Sequence, residues 1–167
     1  MRVPEAFWHP YFYSEGDSLH SKSFSSEDII EVPFKFDIAY YLGAAPDNLP
    51  WESLTDSIPL LIVSWKAQMR ILTELHEKRS RQQARQYIIP SISWYLQMLF
   101  WINDQPVRGL TNWKVDCDAL KWKPVNVVER VDFALKKPNL YHSFIQLQQL
   151  FNETEKIFYK KQALKIK

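Results

Sequence analysis

Apolar residues recur every three or four positions from Ile58 to Leu75: Ile58, Leu61, Ile62, Trp65, Met69, Leu72 and Leu75. Ser64, Lys66, Gln68, Arg70, Thr73 and Glu74 take the opposite side. A stripe of that period marks an amphipathic α-helix, which buries one face and leaves the other in water. Asp56 or Ser57 is placed to cap its start, and Pro59 suits a first turn, where its missing N–H has no helical partner. The polar continuation HEKRSRQQAR holds neither Gly nor Pro, so the helix either outruns its stripe or turns near Ser80.

A second helix is expected over about residues 83–102, with Pro90 kinking it or resetting its start. Between Trp94 and Ile102 only Gln97 is polar. A helix apolar on nearly every side is a central one, surrounded by others. Asn103 suits a left-handed residue at its C-terminal end, and Pro106 blocks continuation. The other reading of LFWINDQPV (99–107), as the wall of a binding pocket, stays open at this point. A short helix near residues 111–120 follows. In KPVNVVERVDFALKKP, Asn126 precedes Glu129 by the spacing of a capping box, Lys136 and Lys137 suit the negative end of the helix dipole, and Pro138 enforces a stop. A last helix from Asn139 carries Tyr141, Phe144, Ile145, Leu147, Leu150, Phe151, Ile157 and Phe158, then frays into KKQALKIK.

The first 50 residues differ in kind. They hold five of the ten prolines and a polar run from Ser14 to Asp28, which describes an extended, partly irregular N-terminal arm. Within it, PFKFDIAYYLG predicts a short helix with Phe34, Ile38, Tyr41 and Leu42 on one side and Gly43 as terminator. PWESL adds one turn. Neither an alternating strand pattern nor an internal repeat is visible. The expected fold is therefore all-α: a single compact helical bundle of about five to six helices over 51–167, preceded by the arm over 1–50.

Composition sharpens this picture. A chain of 167 residues is long enough to bury about 70% of its unfolded surface in one core. With 15% aromatic residues and seven tryptophans, that core is rich in rings. One cysteine, Cys117, excludes an internal disulfide or a multi-cysteine metal site and suits a reducing, cytoplasmic location. Asp116 and Asp118 flank it, and their charge disfavours the reactive thiolate. The N-terminus lacks the pattern of a secretory signal. The run from Tyr87 to Ile102 is broken by Pro90, Ser91, Ser93 and Gln97, so no membrane insertion is expected.

The net charge of +2 conceals an imbalance: residues 1–60 hold three basic and ten acidic side chains, the remainder 18 and nine. Either an anionic partner or the folding of one segment on the other accounts for that. Three glycines cannot build a glycine-rich phosphate loop, and four scattered histidines form no ligand box. Glu153 and Glu155, two apart, diverge on a helix. No catalytic residue, metal or cofactor is assigned, and enzymatic activity is not expected. Basic side chains gather in two places, Lys78, Arg79, Arg81 and Arg85, then Lys156, Lys160 and Lys161 beside Tyr159. Such cations could meet phosphates while an aromatic ring stacks a base, although solvated helix faces have the same appearance.

Three motifs in order, LFWINDQPV (99–107), KPVNVVER (123–130) and KPNLYHSFIQLQQLF (137–151), resemble the YpoC-like proteins of Bacillus and related Firmicutes. The resemblance covers about residues 94–158 and continues more weakly through the Trp65 helix and the arginine-rich stretch. It implies a cytosolic protein whose gene neighbours those for a primosomal replication protein, endonuclease III and a bifunctional penicillin-binding protein. From that neighbourhood follows an expected link to DNA maintenance or envelope growth. No catalytic residue transfers, since the family defines none. Trp101, Asn103, Pro106, Lys123, Asn126, Glu129, Arg130, Tyr141 and His142 fall at or near helix ends in the shared motifs and form a candidate interaction patch. The plainer account is mutual capping with a Glu129 or Arg130 ion pair between helices. The leading expectation is a non-catalytic adaptor that binds another protein through this patch or the acidic arm. The alternative is a nucleic-acid-binding accessory factor that uses the two basic clusters.

Overall fold

The computed structural model describes residues 1–20 and 23–166. Its helices are α1 (Asp28–Glu31), α2 (Lys35–Tyr41), α3 (Leu54–Glu77), α4 (Arg81–Trp101), α5 (Trp113–Asp118), α6 (Val127–Lys136) and α7 (Tyr141–Ile166). Short 3-10 turns add Glu5–Phe7 and Pro50–Glu52. Among the described residues β-structure is limited to isolated bridges, Arg2 to Ser18 and His9 to Tyr13, so the fold is all-α. No helix among them is long and apolar enough to cross a membrane.

The all-round apolar segment is the hub. Every residue from Ser91 to Ile102 is buried, and α3, α6 and α7 all pack on α4. Its rings interlock with those of its neighbours: Trp65 of α3 stacks flat on Phe151 of α7 at 4.4 Å, and Tyr95 meets Phe151 edge-on at 5.2 Å. The Tyr95 hydroxyl finds the Thr154 hydroxyl at 2.9 Å, which satisfies both inside the core. Pro90 neither breaks nor restarts α4. Ser91 and Gln68 both donate to the Tyr87 carbonyl beside it, at 2.8 and 2.9 Å.

Several boundaries differ from the sequence expectation. Helix α3 begins at Leu54, so Asp56 and Ser57 lie inside it and Pro59 falls in its second turn. Ser57 does not cap; its hydroxyl donates to the Pro50 carbonyl, joining the preceding turn to the helix. The helix ends in a Schellman arrangement, Ser80 N–H to Leu75 O and Arg79 N–H to His76 O, with Arg79 left-handed at φ 57°. At the end of α4 the left-handed residue is Asp104 (φ 61°), not Asn103. The Asn103 amide is occupied elsewhere, donating to Leu99 O and Trp122 O and accepting from Trp122 N–H. Asn126 forms no capping box. It stands left-handed at φ 57° before α6 and makes no side-chain cap bond. Helix α7 does not fray after Tyr159 but continues to Ile166.

The N-terminal segment packs into the same core, with Phe7, Phe34 and Ile38 fully buried. Three side chains of one α4 stripe, Trp94, Gln97 and Trp101, stitch it down. Trp94 donates to Ile30 O, Gln97 donates to Ile29 O and accepts from Phe34 N–H, and Trp101 donates to Asp37. Those anchors set the rotation of α2, so its buried side includes Phe36 and Asp37, while Tyr41 and Leu42 turn outward. Gly43 ends α2 as expected, at φ 72°, with Ala44 N–H bonded to Ala39 O.

Candidate functional site

Helices α6 and α7 lie side by side, and a polar groove of about 970 Å³ runs between them. The register of α7 explains why. Phe144, Leu147, Phe151, Thr154 and Phe158 are buried, which aims the adjacent stripe of His142, Gln146, Gln149, Glu153 and Lys156 along the groove. From α6 and the turn before it come Asn126, Glu129, Arg130 and Phe133.

One network fixes the floor. Arg130 reaches across from α6, its Nε donating to Gln146 Oε1 at 3.0 Å, its Nη1 to Val125 O at 3.1 Å and its Nη2 to Glu153. Gln146 also meets the His142 ring, which packs edge-on against Phe133 at 5.1 Å. A guanidinium held at three points by a carbonyl, an amide and a carboxylate is a rigid element. The side chains of Glu129, Gln149, Asn152 and Lys156 line the same groove with no hydrogen bond or ion pair among the described residues. Their donors and acceptors face solvent.

The groove therefore unites Asn126, Glu129, Arg130 and His142 of the expected patch with Lys156 of the expected basic surface. It also bears out the plainer account in part, since Arg130 does pair with Glu153 between helices. Trp101 leaves the patch: it is fully buried, its indole bonded to Asp37. Asn103 is a bridge between α4 and the Trp122 loop. Lys123 donates to the Asp118 carbonyl, and Tyr141 is exposed beside His76 at 5.4 Å, outside the groove lining.

The basic surface divides. Lys161 is buried at 5% exposure, donating to Ile102 O and to Asp104 at 2.7 Å. It continues the stripe of Thr154 and Phe158, and that spacing signals an inward position despite its charge. Lys78 pairs with Glu74 one turn away, and the Arg85 guanidinium covers the Tyr11 ring at 5.0 Å. Arg79, Arg81 and Lys160 stay exposed. Arg81 opens α4 and Lys161 sits at its far end, so the two clusters lie about 30 Å apart.

Cys117 is buried, and its thiol is pushed up to about 12 by burial first, with Asp118 and Asp116 adding to it. No group of three metal-ligating side chains that could hold an ion occurs among the described residues. Sequence reasoning missed Asp37, buried on α2. A signal was present, since Asp37 is the sole charged residue between Phe36 and Pro46.

A family model described as YpoC-like protein matches residues 55–166. An uncharacterized protein named YpoC from Bacillus subtilis (strain 168) is 31% identical over 159 residues, spanning 95% of this chain and 94% of that protein. No solved structure matches the chain.

Proposed function

We propose that this chain, which belongs to the YpoC-like protein family, is a non-catalytic helical module that holds an extended segment of a partner protein in the groove between α6 and α7. The observation behind this reading is the polar stripe from His142 to Lys156. It runs about 21 Å along the helix, the length of about six residues of extended chain. Gln149 and Asn152 each offer a donor and an acceptor, matching a peptide group without the desolvation penalty of an ion. Glu129 on the α6 wall and Lys156 on the α7 wall supply opposite charges for side chains of the bound segment.

Site-specific photo-crosslinking tests this. A benzophenone side chain placed at Gln149 should give a discrete protein adduct that survives nuclease treatment. The same probe at Val63, 66% exposed on α3, should give none. Combining the Gln149 probe with Lys156→Glu should abolish the adduct. No adduct from Gln149, or adducts equal at both positions, would overturn the reading. Adducts that vanish with nuclease would favour the nucleic-acid alternative.

A further inference from the structure

The two oxygens of Asp37 meet different fates. Oδ2 accepts from Trp101 Nε1 at 3.0 Å and from Val107 N–H at 2.7 Å. Oδ1 is buried and accepts from no neighbouring residue among the described residues; beyond Trp101 and Val107, the carboxylate is approached only by its own backbone N–H. A carboxylate oxygen removed from water with no neighbouring residue donating to it is unfavourable, and native interiors rarely leave one so. Asp37 also lines a cavity of about 630 Å³, with Tyr40, Tyr41, Trp51 and Glu52 on one side and the loop from Asp104 to Arg108 on the other. The C-terminal half of LFWINDQPV is thus a pocket wall, while its first half is core.

The character of this cavity is aromatic and acidic. Tyr40 meets Trp51 edge-on at 5.2 Å, and Trp51 leans on Trp101 at 6.3 Å, which ties the wall to the indole that holds Asp37. Tyr40 and Tyr41 are both more than half exposed. Asp104 already faces Lys161 at 2.7 Å and Lys165 at 3.9 Å, so its charge is balanced within the molecule. Arg108 is exposed at the rim, and no ion pair joins it to Glu52 or Asp37 among the described residues.

We propose that this cavity is a binding site for a primary alkylammonium group, whose N–H donors reach Asp37 Oδ1 while its carbon chain lies against Tyr40, Tyr41 and Trp51. A metal ion fits poorly, because it requires several oxygens converging on one point, and here Asp37 offers one buried oxygen while Glu52 is exposed at the rim. A guanidinium fits less well than an ammonium, since its planar fork seeks two parallel acceptors and Oδ2 is already taken by two donors. The compact ammonium directs a single N–H at a single oxygen, and aromatic faces attract the cation and its methylenes together. An unbranched chain suits a floor that is nearly closed. The group could belong to a free amine or to a lysine side chain of another protein. This site lies at the α2 edge and the end of α4, away from the α6–α7 groove, so either can fail without the other.

The test is a titration of the full chain, uniformly labelled with nitrogen-15, read at the Trp101 indole resonance, whose N–H is bonded to Asp37. Butylammonium chloride should shift that resonance saturably beyond sodium chloride at equal ionic strength. Tetramethylammonium, which carries the charge without an N–H, should not. A capped Gly-Gly-Lys-Gly-Gly peptide that binds at least tenfold tighter than butylammonium and 1,4-diaminobutane identifies a protein lysine as the source; the reverse order identifies a free amine. Asp37→Asn should weaken binding at least tenfold, with a melting curve to confirm that it folds. Glu52→Gln, at an exposed position, should weaken it two- to fivefold whether or not the first variant folds. No saturable shift, an equal response to tetramethylammonium, or affinity unchanged in both variants would overturn the proposal.

Discussion

Replacing Asp37 by Asn should change how stability depends on pH between pH 4 and 7.5. Burial raises the Asp37 carboxyl from its ordinary 3.8 to about 6, against the opposing hydrogen bonds from Trp101 and Val107. Between those two values the folded protein binds a proton that the unfolded chain does not, so folding takes up a proton there. The contribution of this group to stability therefore grows as pH falls through 6 and is complete below 3.8. Above pH 6 the ionised carboxylate costs about 3 kcal/mol relative to the protonated form, since each pKa unit is worth about 1.4 kcal/mol. About half of this should be regained by pH 5 and most of it by pH 4.

Other carboxylates act in the opposite sense. Asp28 and Asp132, which burial alone would push up, are held below the ordinary value by hydrogen bonds from Lys35 and Ser25 and from Lys136 and Lys114. Their contributions are lost as pH falls, so the wild-type profile alone mixes signs. The difference between wild type and Asp37→Asn removes them, because both proteins share those pairs. Urea unfolding followed by tryptophan fluorescence, run at pH 7.5, 5 and 4, gives that difference directly. Wild type should gain on the variant by about 2 to 3 kcal/mol across the range. Parallel profiles would refute the reasoning and mean that the Asp37 carboxylate is solvated or carries a further donor.

Three other substitutions probe the interior. Lys161→Ala should lower stability by about 3 kcal/mol in thermal melts, because it strips the Ile102 carbonyl and Asp104 of a buried cation. Tyr95→Phe should cost about 1 kcal/mol by orphaning the Thr154 hydroxyl, and adding Thr154→Val should recover part of that, as a double-mutant cycle in urea would show. Gly109→Ala should cost about 2 kcal/mol, since the new Cβ would sit 2.8 Å from Ala6 O at a φ of +149°; hydrogen exchange at the Leu110 amide, which donates to that carbonyl, should quicken.

The sequence disclosed the elements governed by local periodicity. The α3 stripe and the apolar run of α4 from Trp94 to Ile102, polar only at Gln97, identify the hub, because burial on one face or on all faces writes itself into residue spacing. What was hidden depends on pairs distant along the chain. Gln97 looks like a lone polar blemish until Ile29 O and Phe34 N–H, more than 60 positions away, are seen to need an amide at that point. Lys161 looks like surface until the Ile102 carbonyl and Asp104 are placed beside it. Asn126 and Glu129 have the spacing of a capping box, but the left-handed backbone at Asn126 denies the geometry, and no spacing rule reports φ. For the groove, the sequence supplied Asn126, Glu129, Arg130 and His142 within one candidate patch and Lys156 within a separate basic cluster. It did not join Lys156 to that patch or separate Trp101, Asn103, Lys123 and Tyr141 from it, both of which follow from how α6 lies against α7.

The same long-range stitching bears on the charge imbalance. Lys35 pairs with Asp28 within the acidic segment, and the Arg130, Lys161 and Lys165 pairs lie within the basic one. Among the described residues no ion pair joins residues 1–60 to the rest; neutral donors from Trp94, Gln97 and Trp101 do that work. Each segment thus keeps most of its own field when it folds onto the other. The cavity at Asp37 and Glu52 lies where the acidic segment meets the 104–108 loop, and its carboxylates attract cations before any contact is made. Raising salt should therefore slow the arrival of a cationic ligand there far more than it slows its departure, since the buried Oδ1 contact lies beyond the reach of screening by bulk ions.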